Sequence, residues 1–137
     1  MEGPEPSRCK ADYDEGMVLI AVDDFLFRSK IRATAKAAGV DVTFAKTSAE
    51  MLELARTLRP SLAIFDLNSA ALAPVETIAA MKQDAALADI RTLGFVSHVD
   101  TARIAAARSA GADDVLPRSA FAGNLAEILL GDRAAQP

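Results

Sequence analysis

One cysteine and one histidine are all that this 137-residue chain offers of the softer metal ligands and reactive nucleophiles. Cys9 stands in a polar leader with no second cysteine to pair with, so there is no disulfide framework, and a reducing, cytoplasmic setting is expected. His98 has no cysteine near it, which argues against zinc and against a metal role for this residue. Long hydrophobic runs are missing: Met17 to Val22, the longest, is too short to span a bilayer. The amino-terminal region also lacks the basic segment, apolar core and cleavage pattern of a signal peptide. With 15 Lys and Arg against 19 Asp and Glu, the net charge is -4, and no helix clusters its basic residues. Direct nucleic-acid binding, which needs such clusters to neutralise phosphates, is therefore not expected. No internal repeat or heptad pattern is present. What remains is a composition 51% hydrophobic and 25% charged, that of a globular domain long enough to build a core.

Residues 1–16 contain two prolines and alternating charges with little periodic apolar content, and read as a flexible leader. Residues 17–131 read as the folded domain and 132–137 as a flexible tail. Within the domain, short apolar runs alternate with segments of helical periodicity. The first strand spans about Val18 to Val22. A helix follows with Phe27, Ile31, Ala35 and Ala38 on one face and Gly39 just past its end. A second strand, about Asp41 to Ala45, leads to a helix expected to be capped by Ser48, with Met51, Leu54, Ala55 and Leu58 inward and Pro60 as its stop. The third strand is about Leu62 to Phe65, followed by an irregular stretch from Asn68 to Pro74 and a helix with Val75, Ile78 and Ala79 inward. The fourth strand covers about Thr92 to Val96. Its helix, Thr101 to Ala110, ends at Gly111, and its alanine-rich face is expected to pack into the core. A short fifth strand, Asp114 to Leu116, precedes a single last helix carrying Phe121, Leu125, Ile128 and Leu129. Pro117 suits an edge strand.

Five strands alternating with five helices imply an α/β protein, a doubly wound parallel sheet of flavodoxin-like type with order 2-1-3-4-5. That order sets strands one and three side by side. Asp23 and Asp24 end the first strand and Asp66 ends the third, so the three carboxylates converge at the carboxyl edge where such sheets place their ligands. Converging carboxylates repel unless a proton or a cation joins them, which makes a divalent-cation site the first hypothesis. Taken singly, Asp24 could instead cap the first helix, and Asp66 could be an ordinary strand-end acid.

Four segments in order resemble the receiver domain of bacterial response regulators, the CheY-like family. LIAVDDFLFRSKI is similar to the first strand and helix with its acidic pair, and LAIFDLN to the phosphoacceptor strand. DAALADIRTLGFVS and AGADDVL are similar to the approaches to strands four and five. The resemblance covers about Met17 to Leu130. It implies Asp66 as phosphoacceptor; Asp23, Asp24, Asp66 and the backbone carbonyl of Asn68 as ligands of Mg²⁺; and Ser97 as a hydroxyl contacting the phosphoryl group. It implies a histidine kinase or phosphotransfer protein as donor. Output is expected through a protein partner on the face of helix four, strand five and helix five, or through a homodimer, since no DNA-binding segment follows Leu130. The role is signalling rather than enzymatic, beyond self-catalysed phosphoryl transfer to Asp66.

The chain departs from the family pattern at four places. Arg118 and Ser119 stand where the family has Lys-Pro, so Arg118 is the expected phosphoryl-contacting cation; alternatively it pairs with Asp66 and locks the site. SAALAP replaces the usual loop after the acceptor. His98 follows the hydroxyl residue where a small side chain is usual, and its bulk would modulate access. Val115 takes the place of a switching aromatic. These departures support a second reading, a pseudo-receiver whose contacts do not depend on phosphorylation. A flavodoxin-like small-molecule binder is disfavoured by the missing Gly-rich phosphate loop, and a haloacid-type hydrolase by Leu67-Asn68 where a second aspartate of a DxD pair would stand.

Overall fold

The computed structural model describes residues 17–97 and 100–130. The leader and tail assigned from the sequence, and His98, lie outside those residues. The elements in chain order are β1 (Met17–Ala21), α1 (Phe25–Ala38), β2 (Asp41–Phe44), α2 (Ser48–Leu58), β3 (Leu62–Asp66), a 3-10 turn (Ala70–Leu72), α3 (Pro74–Gln83), β4 (Arg91–Val96), α4 (Thr101–Ala110), β5 (Asp114–Pro117), α5 (Arg118–Gly123) and α6 (Leu125–Leu129). All strand pairs are parallel, in the order β2-β1-β3-β4-β5. This is the 2-1-3-4-5 order expected from the alternation of strands and helices.

The sheet is covered on both sides because its central strands are apolar along most of their length, with Asp66, Arg91 and Thr92 at their ends. Successive side chains point to opposite faces. Leu19, Ala21, Ala63 and Phe65 meet Met51 and Ala55 of α2 and Ile78 and Met81 of α3. Val18, Ile20, Leu62, Ile64, Leu93 and Phe95 meet Phe27 and Ile31 of α1 and Phe121, Leu125 and Leu129 of α5 and α6. Phe95 stacks on Phe121 with ring centroids 4.6 Å apart, and Phe27 meets both edge-on. These rings pin α1 and α5 to the half of the sheet that ends at Asp66.

Helix ends follow local chemistry. Asp24 caps α1, and Gly39 and Gly111 close α1 and α4 in left-handed conformations, with φ 75 and 115. The cap of α2 is Thr47, whose side chain accepts from the Glu50 N–H at 3.0 Å, while Glu50 accepts from the Lys46 N–H. That reciprocal pairing outweighs Ser48, which becomes the first helical residue and shares a 2.6 Å hydrogen bond with Thr77.

Two further expectations are corrected. The last helix is broken at Asn124, which follows Gly123 and leaves helical dihedrals at φ -116, ψ 23, giving six α-helices among the described residues in place of five. The alanine face of α4 is mostly in solvent: only Ala107 is buried, Ile104 and Ala110 are half-buried, and Ala102, Ala105 and Ala106 are exposed. Strand β5 is an edge, so α4 has only a narrow apolar strip to cover, and small residues give it little reach.

Candidate functional site at the carboxyl edge of the sheet

Asp66 is the last residue of the central strand and sits opposite Phe95 in the register of β3 with β4. Only 7% of it is exposed. Its Oδ1 accepts the Asn68 N–H at 2.9 Å, a local turn that any short acidic side chain at a strand end can form. Its Oδ2 accepts from no described residue. Burial pushes the Asp66 carboxyl above its ordinary range; the Asn68 N–H opposes this, and the negative charge of Asp23 adds to it. A weaker push from Asp24 and a pull from Arg118 complete the field.

Asp23 and Asp24 leave β1 at the same edge but face different partners. Asp24 turns toward α1: its Oδ1 accepts the N–H groups of Leu26 at 3.0 Å and Phe27 at 3.2 Å. Its Oδ2 accepts from Arg118 Nη2 at 3.1 Å. The Phe27 N–H first, and Arg118 second, hold the Asp24 carboxyl below the ordinary range. Asp23 is exposed, and its Oδ2 accepts the Ser69 hydroxyl at 2.7 Å.

Arg118 therefore pairs with Asp24, and the expected alternative of a lock on Asp66 is corrected. The reason is the aromatic cluster: the guanidinium lies 4.2 Å over the Phe27 ring, one turn into α1 and beside its cap. Asn68 contributes through its side chain as well as its backbone, since its Oδ1 accepts the Ser97 N–H at 2.6 Å and ties the β3 loop to the end of β4. Ser97 is exposed and is held at this site by that backbone bond.

Two residues that the sequence reading did not single out belong to the site. Ser69 is buried, and Arg103 of α4 donates from Nη1 to the Leu67 carbonyl at 2.9 Å. A serine among alanines in SAALAP was a weak hint of the first. Nothing local marked the second.

Among the described residues, no three His, Cys, Asp or Glu side chains form a group placed to hold a metal ion. The residues still fit Mg²⁺: hard oxygen donors, a buried Asp66 oxygen without a donor, and the second oxygen of Asp23. Mg²⁺ keeps several waters and is commonly held by one or two carboxylates. No described helix is long and apolar enough to cross a membrane.

No protein-family model and no curated protein matches the chain. Solved structures do. The chemotaxis response regulator CheY4 of Vibrio cholerae matches with TM-score 0.74 and 21% identity over 87% of this chain and 98% of that one. The signal receiver domain of the response regulator NarL from Mycobacterium tuberculosis matches with TM-score 0.72 and 23% identity over 88% and 97%. The receiver domain of a signal transduction histidine kinase from Syntrophus aciditrophicus matches with TM-score 0.74 and 18% identity over 87% and 89%. The fold is that of CheY-like receiver domains.

Proposed function

We propose that this chain, folded as response-regulator receiver domains are, accepts a phosphoryl group on Asp66 with the help of Mg²⁺ and signals by protein contact. One observation carries the reading: Asp66 is a buried carboxylate with an oxygen free of any described donor, close enough to Asp23 to feel its charge, while Arg118 donates to Asp24. A carboxylate in that position favours a cation, and it stands at the carboxyl edge of the sheet. The free Asp66 oxygen attacks phosphorus in a phosphohistidine or a phosphoramidate, the P–N bond breaks, and the nitrogen leaves with a proton. The product is an aspartyl phosphate. Asp23, Asp66 and the Asn68 carbonyl would hold Mg²⁺, which would supply neutralisation of charge on the transferring oxygens. Ser97 and, after leaving Asp24, Arg118 lie at the same edge to contact the phosphoryl group. The donor class is a histidine kinase or phosphotransfer protein, and the face of α4, β5 and α5 is the contact for a downstream partner or a second copy. A cytoplasmic, signalling and non-enzymatic role fits this reading.

A second reading keeps support from one contact. Arg118 and the cap bonds take both oxygens of Asp24, as a pseudo-receiver with a self-neutralised site would have it. Incubation with Mg²⁺ and phosphoramidate, read by intact mass, decides between them. A gain of one phosphoryl group that is lost in Asp66→Asn and in EDTA is the expected result. No gain, under conditions that label an ordinary receiver, would hand the chain to the second reading.

A further inference from the structure

Four carboxylate oxygens of Asp23 and Asp24 meet the site, and the structure disposes of them unequally. Both oxygens of Asp24 are committed, one to two backbone N–H groups and one to Arg118. Asp23 keeps one oxygen without a described donor, while the other accepts the Ser69 hydroxyl at 2.7 Å. Ser69 is itself held tightly. It is only 6% exposed, its N–H donates to the Asp66 carbonyl at 3.2 Å, and its carbonyl accepts the Leu72 N–H at 3.3 Å.

A buried hydroxyl has one proton to give, and leaving it unpaired is costly. Asp23 is exposed and would otherwise sample several rotamers. The bond joins the two needs: it satisfies the serine and removes the freedom of the aspartate. It also links the loop after β3, which carries Asp66, to the loop after β1.

We propose that Ser69 is a positioning residue that holds Asp23 in the orientation from which it serves Mg²⁺ at the edge shared with Asp66. The inference rests on the cation reading of the site given above and names the residue that orients one acid of the pair. Hydrogen-bonding partners of metal ligands typically govern affinity by 10–100-fold.

The test is calorimetric titration of the full chain with Mg²⁺ alone, without phosphodonor, for wild type, Ser69→Ala and Ser69→Thr, with thermal melts of each in EDTA. Ser69→Ala is expected to bind Mg²⁺ about tenfold more weakly, and Ser69→Thr, which keeps the hydroxyl, to bind close to wild type. Should alanine fail to fold, Ser69→Cys, close in size but a weak donor, is expected to show the same loss. Wild-type affinity in the variant lacking the hydroxyl overturns the proposal, as does equal weakening by alanine and threonine, or a wild type that binds no Mg²⁺. Intact Mg²⁺ binding with no labelling of Asp66 overturns the phosphoacceptor reading alone and leaves the role of Ser69 to be judged by the titration.

Discussion

Arg118 donates to Asp24 across the carboxyl edge of the sheet at 3.1 Å, joining residues 94 apart in the chain, while Asp66 a strand away keeps a free oxygen. Both partners are about a third exposed, so the pair is one of geometry more than of strength. Its consequence is that both oxygens of Asp24 are committed while one oxygen of Asp66 accepts from no described residue.

The double duty of Asp24 separates two substitutions. Asp24→Ala removes the cap of α1 and the partner of Arg118 together, whereas Asp24→Asn keeps an acceptor for the Leu26 and Phe27 N–H groups. The alanine variant is expected to lower the urea midpoint several times more than the asparagine variant. Equal losses would mean that the ion pair, and not the cap, is what Asp24 contributes.

Asp66 should lower stability at neutral pH. Its carboxyl titrates above the ordinary range, first because of burial and then because of Asp23, so the uncharged form is the one the fold favours. The stability tied to that form is fully present below the ordinary carboxyl range, near pH 4 or less, and is lost as pH rises through the raised value. Asp66→Asn is therefore expected to melt a few degrees higher than wild type at pH 7 in EDTA, with the gap closing toward pH 3. A gap that stays constant with pH would refute the assignment to charge.

Position 94 has no room for a side chain because Leu67 lies on it. A Cβ at position 94 would stand 2.8 Å from Leu67 Cδ1 and 2.9 Å from its Cγ. Leu67 is fully buried, and its N–H is fixed to the Phe95 carbonyl at 2.9 Å, so it cannot easily give way. Gly94→Ala is expected to cost about 1–3 kcal/mol by chemical denaturation, and the double variant Gly94→Ala, Leu67→Ala to lose less than the sum of the two single variants. It should also slow labelling of Asp66, which precedes Leu67 directly.

Ala73 holds φ 42, ψ 59 just before Pro74, a left-handed conformation that disfavours a side chain. Ala73→Gly relieves this and is expected to raise stability by about 0.5–1 kcal/mol, net of the freedom glycine gains in the unfolded chain. A loss of stability would show that the turn is held by contacts of the Ala73 methyl.

Local rules made much of this protein readable in advance. The apolar runs ending in Asp23-Asp24 and Asp66, the helical spacing of Phe27, Ile31 and Ala35, and the glycines at 39 and 111 led to the order β2-β1-β3-β4-β5, because strand and helix periodicity, caps and right-handed crossovers act over a few residues. Where local signals compete they mislead: Thr47 with Glu50 took the cap from Ser48, and the alanines of α4 looked like core because spacing does not tell how wide a strip of sheet lies beneath a helix.

Sheet order and the edge at which the acids gather were thus written in the chain's local pattern. Long-range packing alone set Asp24 against Arg118 and Asp23 against Ser69, 46 residues away, and left the Asp66 side chain hydrogen-bonded to neither partner. These contacts join loops that follow β1, β3 and β5, and their geometry depends on sheet register and on the Phe27, Phe95 and Phe121 rings that set α1 against α5. A carboxylate chooses among partners within a few ångströms, a distance that periodicity along the chain cannot resolve.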